Sequence, residues 1–283
     1  MKKTMSVSEM LTYSTVRIEC VYKNGSTGTG TGFFFNFLDN KDDGKYVPAI
    51  VTNKHVINGA DKGIFIFTTA DEHGNPIDDK HYSARFQNFE HFWRKHPDPD
   101  VDLCVIPIAQ IMADSKANGK EIYFVPLTRD IIPNPQTLED MNALEEILMV
   151  GYPNGIWDNI NNKPIFRRGI TASHPRLDYC GKKEVMIDAA CFPGSSGSPV
   201  FIFNQGVYKT KTGELSAGDR IILLGILYAG PQHVAQGEIK VINVPTSQIP
   251  IAISSIPNNL GLVIKSERLF ELESIFEKEA NGL

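Results

Sequence analysis

The chain has 283 residues, 42% of them hydrophobic and 22% charged, a composition that supports a packed core and excludes a disordered or fibrous chain. A net charge of −5 supplies no basic field for phosphate backbones, so nucleic acid is not an expected partner. No stretch is long and apolar enough to span a bilayer, and the opening run from Thr4 to Glu9 is too polar for a signal peptide.

Four scattered cysteines, Cys20, Cys104, Cys180 and Cys191, lack the spacing of zinc sites or redox dithiols. They are expected to be free thiols in a cytoplasmic protein with no membrane partner.

After an N-terminal extension over residues 1–14, short runs rich in β-branched and aromatic residues recur. They fall at Thr15–Tyr22, Gly32–Phe37, Ala49–Thr52, Gly63–Thr68, Leu103–Ile108 and Ile147–Gly151, then at Val185–Ala189, Pro199–Phe203, Ile221–Tyr228 and Ile239–Val244. Most are bounded by Gly, Pro, Asn or Asp, which predicts an antiparallel all-β barrel or sandwich. Within Gly25–Gly32 the glycines match a dinucleotide fingerprint, but a Phe-rich strand follows where a helix would be needed, so a flexible hairpin is expected.

Residues 71–99 are polar, carry His73, His81, His91 and His96, and are interrupted by Pro76 and Pro97. They read as strand edges and loops with surface histidines; no His-Glu-x-x-His spacing appears, and no metal or other cofactor is assigned. From Ser266 to Ala280, Leu269, Phe270, Leu272, Ile275 and Phe276 recur at helical spacing, with Ser266 as N-cap and Gly282 past the end. That apolar stripe is expected to pack on the barrel.

Three segments carry candidate chemistry. An apolar strand from Ala49 delivers His55 to its end, Asp102 stands immediately ahead of the strand at Leu103, and Phe192–Val200 holds a serine pair flanked by Gly194 and Gly197. Attack on a peptide bond needs an activated hydroxyl, a base held in one tautomer, and donors for the oxyanion. Ser196 is the candidate nucleophile, His55 the base and Asp102 its orienting acid. The turn Gly194-Ser195-Ser196 is the candidate oxyanion hole, through the N–H groups of Gly194 and Ser196. Each residue alone is explicable as structure, but the order His, Asp, Ser at three strand boundaries is that of a chymotrypsin-type triad.

These segments resemble the bacterial trypsin-like peptidases, and most nearly the HtrA-type protease domain, from about Thr15 to about Ile253. Gly30-Thr31-Gly32-Phe33 is similar to that family's Gly-Ser-Gly-Phe strand, Thr52–Val56 to its Thr-x-x-His-Val, and Asp102–Val105 to its Asp-[Ile/Leu]-Ala-[Leu/Val]. Gly151-Tyr152-Pro153, Arg168–Ala172, Asp188-Ala189-Ala190 before Gly194, and Asn243–Ser247 resemble further family motifs in the same order.

The resemblance implies two packed six-stranded antiparallel β-barrels over residues 15–258, joined at about 110–145, followed by a linker and amphipathic helix over 259–283. It implies a serine endopeptidase acting on a protein or peptide. Its specificity pocket would have Ala190 near the base and Cys191, Tyr228, Ala229, Gly230 and Asn243 along the walls. Ala190 stands where trypsin has an acid, so a small or apolar residue is expected before the cleaved bond.

Two departures matter. Ser195 replaces the aspartate that receives a freed N-terminus in trypsin-like zymogens, so activation by cleavage is not expected. Only a short helix follows the barrel, so no PDZ module of the HtrA kind is expected. Two alternatives accompany the enzyme reading: a silent barrel that binds peptides or partners, and a latent enzyme whose loop Cys191–Ser195 is ordered by an activating protein or by homo-oligomerisation.

Overall fold

The computed structural model describes residues 4–40, 44–230, 232–237, 252–257 and 259–280. The strands of the first half are β1 (Thr15–Tyr22), β2 (Thr27–Asn40), β3 (Lys45–Thr52), β4 (Ala60–Ala70), β5 (Pro76–Gln87), β6 (Arg94–Lys95), β7 (Cys104–Pro107) and β8 (Ile122–Tyr123). They form one antiparallel sheet in the order β5-β4-β1-β2-β3-β7-β6, with β8 paired to β4.

In the second half, β9 (Glu146–Gly151), β10 (Ile165–Thr171), β11 (Glu184–Asp188) and β12 (Pro199–Asn204) are followed by a small hairpin, β13 (Val207–Lys209) and β14 (Leu215–Ala217). Then come β15 (Arg220–Ala229), a separate ribbon of β16 (Gln232–Gly237) and β17 (Ala252–Pro257), and β18 (Leu260–Lys265). A closed six-stranded barrel runs β10-β11-β18-β15-β12-β9. The second expected barrel therefore closes as such, while the first half is an eight-stranded sheet around its own core. The closed barrel's last strand in the chain, β18, falls inside the stretch read from sequence as linker, and the expected strand at Ile239–Val244 lies outside the described residues.

The near-continuous apolar character of the inner strands has a geometric cause. Successive side chains of a strand point to opposite faces, and here both faces are covered. Phe33, Phe35 and Phe37 of β2 enter a core shared by the two halves, while Phe34 enters the core of the first sheet. In β9, Leu148 and Val150 face the shared core, and Ile147 and Met149 the core of the closed barrel. The glycine-rich segment is a hairpin into β2 and not a nucleotide turn: Thr27 already pairs with Val21.

Helices close the ends. They are α1 (Val7–Leu11), α2 (Lys54–Ile57), α3 (Ala109–Ala117), α4 (Pro135–Glu139) and α5 (Leu269–Ala280). A capping box between Ser6 and Glu9 starts α1, and its Leu11 is buried in the shared core, so the N-terminal extension is packed. The C-terminal helix buries Leu269, Leu272 and Phe276 there too, with Phe276 5.2 Å from Phe37 between ring centres. Ser266 is not its cap; β18 runs into a 3-10 turn at Ser266–Arg268, and α5 continues from it. His96, expected on a surface loop, is 3% exposed beneath this turn, where its Nε2 lies 3.3 Å from Arg268 O.

Candidate active site

Strand β3 ends at Thr52, which pairs with Cys104 at the start of β7. That register puts the residues just after β3 beside those just before β7, which brings His55 to Asp102. Three consecutive residues hold the acidic loop. Asn53 Nδ2 donates to Asp102 O at 2.8 Å, Lys54 Nζ donates to Asp98 O at 2.9 Å and Pro99 O at 3.2 Å, and the His55 N–H donates to Asp102 Oδ1 at 3.1 Å.

The other carboxylate oxygen, Oδ2, lies 2.5 Å from His55 Nδ1. A carboxylate can only accept, so Nδ1 is the donor of this contact, and in a neutral imidazole that leaves Nε2 as the free acceptor. The His55 side chain is 48% exposed and that of Asp102 24%, so Asp102 is reached by solvent and is not sealed inside the fold.

The serine pair sits in a turn built by its own residues. Phe192 O accepts the Ser195 N–H at 3.0 Å, with Pro193 and Gly194 at the central positions and Gly194 at φ +86°. Proline followed by a positive-φ glycine is what a type II turn requires. Behind it, Pro193 O accepts from Asn154 N at 2.5 Å, Gly194 O from Thr31 Oγ1 at 2.9 Å, Ser195 O from Ser198 N at 3.0 Å, and Ser196 O from Thr31 N at 2.9 Å.

The amides of Ser195, Gly197 and Ser198 are likewise bonded, Gly197 N to Leu227 O at 2.8 Å. Among the described residues, the N–H groups of Gly194 and Ser196 make no hydrogen bond. Trans peptide planes point N–H and C=O in opposite directions, so anchoring Pro193 O and Ser195 O on one side turns these two donors to the other. The Ser196 hydroxyl is half-buried and makes no hydrogen bond to His55 among the described residues. Ser195 is 1% exposed, and its hydroxyl also lacks a partner.

Beside Ser196 lies a pocket of about 140 Å³ lined by Cys191, Phe192, Pro193, Ser196, Leu227, Tyr228, Ala229 and Gly230. Four residues expected at the pocket, Cys191, Tyr228, Ala229 and Gly230, thus meet there. Ala190 is half-buried and is not among the lining residues, and Asn243 lies outside the described residues. Phe192, Pro193 and Leu227 were not foreseen. Phe192 and Pro193 could have been, since they belong to the same turn as Ser196.

Near the pocket, a Cβ added at Gly261 would come within 2.6 Å of Cys191 Sγ, so the thiol occupies the space that glycine leaves. Burial pushes that thiol up to about 11, which keeps it neutral. Tyr228 separates this pocket from a larger groove of about 480 Å³ bordered by Asp98, Asp102, Lys182 and Arg268. Burial, then the Glu184 carboxylate, raises the Tyr228 phenol. Among the described residues no cluster of three or more His, Cys, Asp or Glu could hold a metal, and no helix is long and apolar enough to cross a membrane.

Comparison with known proteins adds the family. No curated protein matches the chain. Among solved structures, it is similar to the HtrA-type protease AlgW bound to a tripeptide, at 15% identity and TM-score 0.49, covering 98% of this chain and 65% of that one. It therefore spans just under two thirds of AlgW's length. Deg5 is similar at 19% identity and TM-score 0.43, over 78% of this chain and 81% of that one. The Rv3671c protease from M. tuberculosis in its active form is similar at 13% identity and TM-score 0.43, over 95% and 86%. The family model described as the trypsin-like peptidase domain matches residues 30–207. That span is more than half of the chain, and the chain belongs to the trypsin-like peptidase family.

Proposed function

We propose that the chain is a serine endopeptidase that cleaves peptide bonds through an acyl-enzyme on Ser196. One observation carries the reading: beside Ser196, in a turn whose Ser195 amide and whose carbonyls from Pro193 to Ser196 are bonded, the N–H groups of Gly194 and Ser196 are uncommitted among the described residues. Two such donors are what a developing oxyanion needs. The His55–Asp102 pair supplies the base.

In the reaction, Ser196 Oγ attacks the substrate carbonyl as His55 Nε2 takes its proton. Asp102 holds the ring and offsets the imidazolium charge. The tetrahedral oxyanion is held by the two N–H groups, and on its collapse His55 returns the proton to the leaving amine. Water, deprotonated by His55, then attacks the ester, and the carboxylic acid leaves as Ser196 recovers its proton. Among the described residues no charged side chain lines the 140 Å³ pocket, which suits a small or apolar residue before the cleaved bond better than Arg or Lys. The four cysteines are free thiols, which fits a reducing, cytoplasmic compartment.

A second reading has its own observation. Ser196 Oγ and His55 are not hydrogen-bonded, as a latent enzyme awaiting a partner protein or a second copy would have it, although unliganded sites often tighten only around substrate. Labelling by a fluorophosphonate, with peptide-library cleavage, tests both. Labelling and cleavage by wild type, lost in Ser196→Ala, are expected at any protein concentration. Activity that rises steeply with concentration or with an added partner would favour the latent form, and absence of both labelling and cleavage under every condition would sink the proposal.

A further inference from the structure

We infer that Thr31 is the positioning residue of the oxyanion hole, acting from the first sheet on a turn that belongs to the second barrel; the inference rests on the serine-peptidase reading above. Thr31 is fully buried in β2. Its Oγ1 donates to Gly194 O at 2.9 Å and accepts from Tyr152 N at 3.1 Å. Its N–H donates to Ser196 O at 2.9 Å, and its own carbonyl accepts from Thr52 Oγ1 at 2.7 Å. The two residues with uncommitted N–H groups are thus both gripped, through their carbonyls, by one side chain and one amide of the same residue.

The grip acts on peptide planes. Each donor N–H lies in the plane before its Cα, and each Thr31 bond fixes the plane after it, so the donor planes hinge on planes that Thr31 holds. The plane carrying the Gly194 N–H is held at its other end by Asn154 N on Pro193 O. Asn154 lies two residues beyond Tyr152, whose N–H donates to the same Thr31 hydroxyl. One hydroxyl therefore ties the donor turn to the segment that backs it. The Ser195 side chain adds nothing to this anchoring, since among the described residues its hydroxyl has no partner. The turn is packed closely on that segment: a Cβ at Gly194 would meet Tyr152 O at 2.6 Å.

The hydroxyl and the methyl of Thr31 can be separated by Thr31→Val, Thr31→Ser and Thr31→Ala, read through kcat and KM on a peptide from the library, affinity for a peptide aldehyde, and thermal midpoint. The aldehyde is the useful probe, because its hemiacetal oxygen sits where the oxyanion would. Removing a direct donor costs on the order of 10²–10³ in kcat, and Thr31→Val, which loses the anchor on Gly194 O and keeps the amide on Ser196 O, should cost about 10–100-fold in kcat with KM within about threefold. The aldehyde should weaken by a similar factor, and Thr31→Ser should recover wild-type kcat to within about threefold.

Should Thr31→Val fail to fold, the Ser and Ala variants decide, since both lack the methyl and differ only in the hydroxyl. Equal kcat and equal aldehyde affinity in those two, with wild type labelled by the fluorophosphonate, overturns the role of Thr31 and leaves the peptidase reading standing. A wild type that is neither labelled nor active overturns both.

Discussion

A methyl group on Gly197 has nowhere to go. The residue follows the nucleophile candidate at φ +87°, a conformation that costs an L side chain on the order of 1–3 kcal/mol, and its Cβ would overlap Thr31 O and Thr52 Oγ1. Gly197→Ala is expected to lower stability by about 2–4 kcal/mol through strain and overpacking together, seen as a lower urea midpoint, and to lose fluorophosphonate labelling even in the fraction that stays folded. An unchanged midpoint would mean that the turn is not seated on Thr31. At this scale much was legible from residue type. A histidine closing an apolar strand, an acid opening another and a serine between glycines were visible without coordinates, and His55 and Asp102 do meet. Thr31 was visible only as part of a motif, because its partners Tyr152 and Gly194 lie 121 and 163 residues away in sequence. Ala190 missed the pocket for a related reason: whether the residue after a strand faces in or out depends on the local turn, and here Cys191 faces the space at Gly261 instead.

The loop carrying Asp102 is strapped to the start of the C-terminal helix. Arg268 Nη2 lies 2.7 Å from Asp98 Oδ2, Arg268 Nη1 3.0 Å from Glu271, and His96 Nε2 3.4 Å from Glu271, while the Asp98 N–H donates to His96 Nδ1 at 3.1 Å. Burial holds the His96 pKa below the usual histidine value, outweighing the upward pull of the Glu271 carboxylate and of the Arg268 carbonyl; the Arg268 guanidinium charge pulls down as well. A folded pKa below the unfolded one means that the unfolded chain binds the proton first. The stabilisation is therefore complete above about pH 6.5 and is lost as pH falls from there towards the folded value. Asp98, held low by the Asp100 N–H and Arg268, titrates beneath that window. The urea midpoint of wild type should fall between pH 7 and pH 5, and His96→Gln, which cannot take up the proton, should show a shallower fall; parallel curves would count against the strap. The apolar stripe of α5 was legible because helical period is a local signal. The burial of His96 was not, since its partner Arg268 lies 172 residues away in sequence.

Strand alternation makes the two halves one cooperative body. Strands β2, β3, β7, β9, β12 and β15 send side chains both into their own core and into the shared one, so Phe33, Phe35 and Phe37 of the first sheet join Leu148, Val150 and Phe201 of the closed barrel. Neither half can open without exposing its share of that core to water, at roughly 25 cal/mol per Å² of apolar surface. The alternation was readable in the sequence; which face met the other half was not, because strands such as β2, β9 and β12 are apolar on both sides. Phe201 sits at the centre of this arrangement, fully buried in β12. Phe201→Ala should cost about 3–5 kcal/mol. More tellingly, it should lower the unfolding midpoints of both halves together. Trp93 is buried in the core of the first sheet, so its fluorescence in a Trp157→Phe background reports that half. Amide exchange in β11 reports the closed barrel. Coincident transitions in wild type and in Phe201→Ala are expected. If Phe201→Ala left Trp93 at the wild-type midpoint while β11 exchanged early, the shared core would be packing without coupling. The His55–Asp102 pair would then rest on a half that folds independently of the turn bearing Ser196.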